Sequence, residues 1–313
     1  MMQKASEQQW LVTGANGNLG RRFVVATLSS TQDRIRAVVR SARAAKQLTA
    51  IELTAEQRGR LDVRVLDYTD QEALLGAAQG CSRALHLVGI LKATKSAPYA
   101  QAHEASAEVM AKVCDHSSIE HLTYLSILGS TASSPNACLA SKGRAEDILL
   151  SAATLVCVLR VPMVLGEGDY ASRALLARGA QARSLAFRPQ SLEQPIYAGD
   201  VIQAVTQAAL LKHAGALDLA GAESLSRKDL LQRVAACMGK TTVVMGLPIA
   251  LGYALASCMQ ALLANPPLTS AMLGVLDHDD AIDPAPALQA LQMQALCSVD
   301  TTINKLLAAN LDA

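Results

Sequence analysis

The sequence predicts an α/β fold, a doubly wound parallel sheet carrying a smaller, mostly helical C-terminal lobe. Three observations predict it. Short apolar runs alternate with amphipathic stretches of helical length through the first half of the chain, the order of a parallel sheet covered by helices on both faces. The first apolar run, Trp10-Leu11-Val12-Thr13, breaks directly into Gly14, Gly17 and Gly20 at three-residue spacing and then continues as an amphipathic segment. Beyond residue 166 the alternation loosens, which separates a lobe from the sheet.

The totals bound the rest. Hydrophobic residues make up 51% of the 313 positions and charged residues 18%, so the chain has length and apolar content for a large buried core. Lys and Arg number 28 against 27 Asp and Glu, a net charge of +1 that gives no electrostatic case for nucleic acid. The seven cysteines are widely spaced and contain no Cys-x-x-Cys pair, which argues against a disulfide framework or a metal cluster and for reduced thiols in a cytoplasmic setting. The first nine residues are polar and read as a frayed terminus.

Taken in order, the glycine stretch reads as strand, tight turn and helix start. A side chain there would hold the backbone away from a pyrophosphate, and a helix N-terminus offers free N–H groups to an anion. Thr13 can tie the turn, and Asn16, Asn18 and Leu19 complete the cradle around the glycines. Arg21 to Ser29 continues as helix, and Ile35 to Val39 forms a second strand closing on Arg40, twenty residues past Gly20. An acid near that distance takes the ribose hydroxyls of NAD, whereas an arginine accommodates the extra phosphate of NADP. Arg40, with Ser41 and Arg43 beside it, favours NADP(H) over NAD(H).

A helix from Ala42 to Thr49 and a polar connection lead to a third strand, Val63 to Leu66, which stops at Asp67. Asp67 either accepts from an adenine amino group or caps locally; Asp70 is the better helix cap. Ala84 to Val88 is a fourth strand in which His86 alternates with leucines, as a satisfied core histidine does. Pro98 to His116 is a long crossover helix, His121 to Ser126 a fifth strand, Asn136 to Ala152 a helix and Leu155 to Val161 a sixth strand before Pro162. Ligands then belong at the carboxyl ends of these strands.

In the second half, a helix follows Asp200 and reaches Leu211, Ala216 to Ala220 is a short strand, and Ser226 caps a helix to Met238. From Thr241 to Leu276 no residue is charged. Pro248 opens a helix there that reaches Ala264, too short to span a bilayer. It is either a buried lobe helix or an apolar face for a membrane complex or protein partner, which would make a cytoplasmic protein peripheral to the membrane. The sequence thus divides into a Rossmann-type dinucleotide domain, 1–165, on which 196–212 packs back, and a lobe of 166–195 and 213–313.

The glycine turn, Arg40, Asp67, Ser126 and the Lys142 helix together resemble the atypical, extended-type short-chain dehydrogenase/reductase family, which includes epimerases and dehydratases. The runs His86 to Leu91, Leu125 to Gly129, Ser141 to Glu146 and Arg160 to Gly166 look most like the nucleotide-binding accessory subunit of respiratory complex I and its bacterial relatives. The resemblance implies Gly14, Gly17 and Gly20 at the pyrophosphate, Arg40 at the ribose phosphate, Asp67 at adenine, Lys142 on the nicotinamide ribose and Pro162 near the nicotinamide.

In active members a serine polarises the substrate carbonyl, and a tyrosine four residues before the lysine transfers the proton. Ser126 and Lys142 match those positions, but the tyrosine position holds Cys138. A cysteine sulfur falls roughly 3–4 Å short of a tyrosine hydroxyl, beyond the slack of a proton transfer at about 2.6–3.2 Å. Tyr99 and Tyr170 are the nearby candidates to replace it. The expectation is an NADP(H)-binding accessory or sensing protein with an incomplete triad. Its alternative is an active NADPH-dependent oxidoreductase or epimerase acting on a carbonyl or quinone-like substrate through Ser126 and Lys142.

Overall fold

The computed structural model describes residues 8–94, 97–263, 265–275 and 277–311. The first half comprises β1 (Gln9–Thr13), α1 (Asn18–Ser30), β2 (Arg34–Val39), α2 (Ala42–Thr49), α3 (Ala55–Gly59), β3 (Leu61–Val65), α4 (Gln71–Ala78) and β4 (Arg83–His86). A π-helical turn (Ala100–Ala105) runs into α5 (Ser106–Asp115), followed by β5 (His121–Ile127), α6 (Ala137–Leu150) and β6 (Leu155–Val161). The second half adds β7 (Val164–Leu165), α7 (Tyr170–Gly179), β8 (Arg183–Phe187), β9 (Leu192–Glu193), β10 (Ile196–Tyr197), α8 (Ala198–Leu210) and β11 (Gly215–Asp218). It ends with β12 (Leu225–Ser226), α9 (Arg227–Cys237), β13 (Val243–Leu247), α10 (Ile249–Leu262), α11 (Ser270–Val275), α12 (Ala285–Ala290) and α13 (Val299–Leu311).

Seven strands form one parallel sheet in the order β11-β6-β5-β4-β1-β2-β3. The chain winds outward from β1 to β3 and then crosses back to β4, so the switch point lies between β1 and β4. Strand side chains alternate between two cores. Trp10 and Val12 join α1, α2 and α8 on one face, while Leu11 joins α4, α5 and α6 on the other. Residues 198–210 share the first of these cores with the sheet. A third core, built by α7, α9 and α13, holds the lobe.

The departures from expectation have local causes. α1 starts at Asn18, because Gly17 already takes the extended backbone of an N-cap. The polar connection hides α3, nucleated by a capping box in which Thr54 and Gln57 satisfy each other's backbone N–H groups. Residues 215–218, placed in the lobe by the sequence, hydrogen-bond to β6 as the edge strand of the main sheet. Asp70 and Ser226 cap α4 and α9 as expected.

The helix after Pro248 ends at Leu262; Ala264 lies outside the described residues. Only its Gly252 and Ala256 are buried, so the reading of α10 as a buried lobe helix is overturned. Gly252 sits against the Phe187 ring, where an added Cβ would come within 3.1 Å, and that narrow seam leaves the rest of the helix outside.

Candidate functional site

The glycine turn sits at the carboxyl end of β1, beside the switch point. Gly14 has φ +73°, the left-handed region that glycine alone enters freely. A Cβ on it would approach the Leu87 backbone to 3.1 Å, and one on Gly20 would lie 2.7 Å from the Ala15 carbonyl oxygen. Gly17 donates its N–H to the Gly14 carbonyl at 3.0 Å and caps α1. The first turn of α1 holds no acidic side chain and no side chain caps it, so its N–H groups stay open to an anion. Asn18 is turned to Arg22, whose Nε donates to Asn18 Oδ1 at 2.9 Å; Asn16 is half-buried beside it, and Leu19 packs into the core.

The Thr13 hydroxyl bonds across to His86 on the neighbouring strand β4. Thr13 Oγ1 lies 2.7 Å from His86 Nδ1, and the imidazole stacks on Tyr124 with centroids 5.5 Å apart. Burial, aided by the Lys142 charge, pushes the His86 pKa down to about 3, so the ring is neutral. His86 is therefore the satisfied core histidine that its alternation implies.

Arg40 stands exposed just past β2, with its guanidinium 5.8 Å from the centroid of the Tyr68 ring. Ser41 is occupied as the cap of α2. Asp67 Oδ1 accepts from the Thr69 N–H at 2.9 Å and the Thr69 hydroxyl at 2.8 Å. Those bonds, with the Arg40 charge behind them, hold its pKa below the ordinary value. One carboxylate oxygen locks the turn, and the exposed residue still presents the other beside Arg40.

α6 carries the second group. Asn136 caps it, accepting from the N–H groups of Cys138 and Leu139 at 2.9 and 3.2 Å. Cys138 and Lys142 follow one turn apart and both are buried. The Lys142 ammonium donates to Tyr124 Oη and to the Leu125 carbonyl, each at 2.9 Å. Burial pushes its pKa down to about 8. It lies over Gly89, where an added Cβ would come 3.1 Å from Nζ, so the glycine that ends the β4 run makes room for the charge. The Cys138 thiol donates to the Ile90 carbonyl at 3.5 Å, and burial raises its pKa.

Ser126 is turned elsewhere. Its hydroxyl donates to Glu146 Oε1, and Glu146 Oε2 accepts from Arg160 at 2.7 and 2.9 Å. The next residue of β5, Ile127, is the one that packs against the apolar cluster of Cys138, Leu139 and Val275, because successive strand side chains take opposite faces. The structure thus brings Cys138 and Lys142 together but directs the Ser126 hydroxyl into a buried ionic network. Pro162 occupies the bend between β6 and β7. Of the two candidate tyrosines, Tyr99 packs against Cys138 and donates to the Leu91 carbonyl at 2.8 Å. Tyr170 opens α7 at 83% exposure.

Three features carry no signal of their own in the sequence. Tyr68 Oη accepts from the Gly14 N–H at 3.2 Å and donates to the Val38 carbonyl, pinning the glycine turn from below. His103, in the π-helical turn, accepts from the Ile90 N–H at 3.0 Å and stacks on Tyr99. Arg22 forms an ion pair with Glu167, which also accepts from Tyr197 at 2.7 Å, fastening α1 to the loop after β7. Each depends on contacts between residues far apart in the chain, which periodicity and local spacing do not report.

Residues 14–164 match the family model described as NAD(P)H-binding. No curated protein matches the sequence. The fold is similar to that of the enzyme WbmG of Bordetella bronchiseptica in complex with NAD, with a TM-score of 0.74 at 17% identity over 100% of this chain and 96% of that one. It is also similar to a nucleoside-diphosphate-sugar epimerase from Staphylococcus aureus, with a TM-score of 0.71 at 16% identity over 95% and 99% of the two chains. UDP-N-acetylglucosamine 4-epimerase from Bacillus cereus gives 0.70 at 16% identity over 96% of each chain. Residues 14–164 are thus similar to an NAD(P)H-binding family, and the chain has a Rossmann-type α/β fold like that of these structures.

Proposed function

We propose that the protein binds NADP(H) and serves as a cofactor-binding accessory or sensing protein, not as a turnover enzyme. The observation that carries this reading is the state of the position before Lys142. Cys138 is a buried thiol with a raised pKa, bonded to a backbone carbonyl and closed in by Ile127, Tyr99 and Val275. The Ser126 hydroxyl is committed to Glu146. A bound nicotinamide cofactor supplies hydride chemistry. The residues here can hold such a group: the α1 N-terminus takes its phosphates, Arg40 its ribose phosphate, Asp67 its adenine and Lys142 its second ribose, with Pro162 at the nicotinamide end.

The preference for NADP(H) rests on Arg40, which takes the position past β2 where an acid would repel a phosphate. Fluorescence titration with NADPH and NADH in parallel tests it. NADPH is expected to bind more tightly, and Arg40→Ala to weaken it about 10- to 100-fold, the loss of one charge-assisted contact, with little change for NADH. Equal losses for both cofactors would overturn the preference.

The alternative, an active NADPH-dependent oxidoreductase or epimerase on a carbonyl or quinone-like substrate, is favoured by Tyr99, which packs in the cluster of Cys138, one turn before Lys142 on α6. Absorbance at the NADPH band separates the two. No consumption with small carbonyl compounds and quinones supports the accessory reading. Turnover that survives Cys138→Ala and disappears in Tyr99→Phe supports the enzyme.

The segment 241–276 is read as the surface that joins the protein to a membrane complex or protein partner, supported by its lack of charge and the exposure of α10. No helix among the described residues is long and apolar enough to cross a membrane.

A further inference from the structure

Helix α10 contains no charged residue and gathers its few polar groups, Tyr253, Ser257 and Gln260, on one side, yet its apolar remainder stands largely in solvent. A helix of that kind belongs in a protein core or against lipid. Leu251 is 54% exposed, Leu255 46% and Leu262 83%, along one stripe at positions i, i+4 and i+11, and Leu263 continues it. The strand pair that feeds the helix extends the surface. Val243 pairs with Arg183 and Met245 with Leu185 in register, so the four side chains share one face, and all four are exposed.

The charges around this surface have one sign where they are free. Arg183 and Lys240 are exposed and make no ion pair among the described residues. The acids that follow the segment are engaged: Asp277 and Asp279 with Arg188, and Asp280 with His278 at 2.9 Å. The result is a convex apolar ridge with two free cations and no free carboxylate on its own segment. A convex ridge with a leucine protruding at 83% exposure suits a deformable phase better than a rigid protein groove.

We propose that this surface docks in the plane of an anionic lipid bilayer, with α10 lying at the headgroup–acyl boundary and Arg183 and Lys240 facing the phosphates. The proposal rests on the docking reading above and is independent of the cofactor reading. The fourteen residues of α10 span about 21 Å at 1.5 Å each, short of the roughly 30 Å hydrocarbon core, so the helix lies in the interface. Docking there places the bilayer next to the candidate site. α11 packs on the start of α6, where Asn136 Nδ2 donates to the Ala271 carbonyl at 2.8 Å and Val275 covers Cys138. Lys92, just past β4, donates to Asn265 Oδ1 at 2.6 Å and anchors the link between α10 and α11 to the same site.

Vesicle co-sedimentation of the full chain tests this, using vesicles of phosphatidylcholine alone and of phosphatidylcholine with phosphatidylglycerol. Binding is expected to the anionic vesicles at low salt and to weaken as salt is added. Arg183→Gln and Lys240→Gln should each weaken it about fivefold on anionic vesicles only, as one cation near the surface does. Leu255→Asp and Leu262→Asp should each weaken it tenfold or more on any vesicle, and both sites are exposed enough that folding is unaffected. Light scattering and NADPH titration on the same variants complete the experiment. No sedimentation of the native chain overturns the proposal. So does a stable dimer that Leu255→Asp dissociates, which would make a second copy the occupant. NADPH binding that persists in every variant keeps the cofactor reading intact whichever way the vesicles answer.

Discussion

Gly20→Ala is expected to lower stability and cofactor affinity together. The added methyl would lie 2.7 to 2.8 Å from three backbone atoms of Ala15, none of which can rotate away, so α1 must shift from the turn it grows out of. Overpacking of this kind costs roughly 1–3 kcal/mol, and more where only backbone can yield. The same shift moves the N–H groups that face the phosphates, and misplacing them should weaken NADPH at least about tenfold. Gly76→Ala is the control. It lies inside α4 with nothing within 4 Å of the added Cβ, and there the change should stabilise by about 0.5–1 kcal/mol and leave NADPH binding unchanged. Urea unfolding and NADPH titration of both variants check the pair. Equal behaviour of the two would remove the close-packing account of the third glycine.

That contrast shows what the sequence makes legible. Gly20 is recognisable because close packing of a strand, turn and helix leaves a regular glycine spacing, and the structure returns a backbone contact at that position. Asp70 and Ser226 are legible for a similar reason, since a cap acts over three residues of its own helix. The sheet strands follow from short continuous apolar runs, as a parallel sheet covered on both faces requires, and β6 keeps its expected limits, Leu155–Val161.

The direction of Ser126 is not legible in this way. Whether a residue at a strand end faces the cleft or the sheet interior depends on register, and one position separates Ser126 from Ile127. Tyr68 under the glycine turn and His103 beside Lys142 arrive from other elements altogether, 54 residues from Gly14 and 13 from Ile90. The exposure of α10 was undecidable for a further reason. An apolar helix has the same composition whether a core or a bilayer covers it.

Acid is expected to destabilise the folded chain between pH 7 and 5, through two buried histidines. His86 and His103 are each pushed down to about 3, first by burial and then by the Lys142 charge. The hydrogen bonds agree with neutral rings: the Ser106 hydroxyl already donates to the Ala102 carbonyl, so it accepts from His86 Nε2, and His103 Nε2 accepts from the Ile90 N–H. In the unfolded chain both imidazoles titrate near 6.5. Below that pH the unfolded state binds protons that the native state refuses, so stability falls as pH drops from 6.5 toward about 3 and is flat above. Between pH 7 and 5 the loss is about 2 kcal/mol for each histidine. The window excludes most carboxylate titration. His121, whose pKa burial also lowers, adds in the same direction, and His278, raised by Asp280, opposes. The difference between the native chain and His103→Gln isolates one group, because the amide oxygen of glutamine can still accept from Ile90 while the titration is gone. Urea unfolding at the two pH values should show a loss smaller by about 2 kcal/mol in the variant. Equal losses would mean that His103 titrates in the folded chain as it does in the unfolded one, and that solvent reaches the space between Lys142, Gly89 and Tyr99.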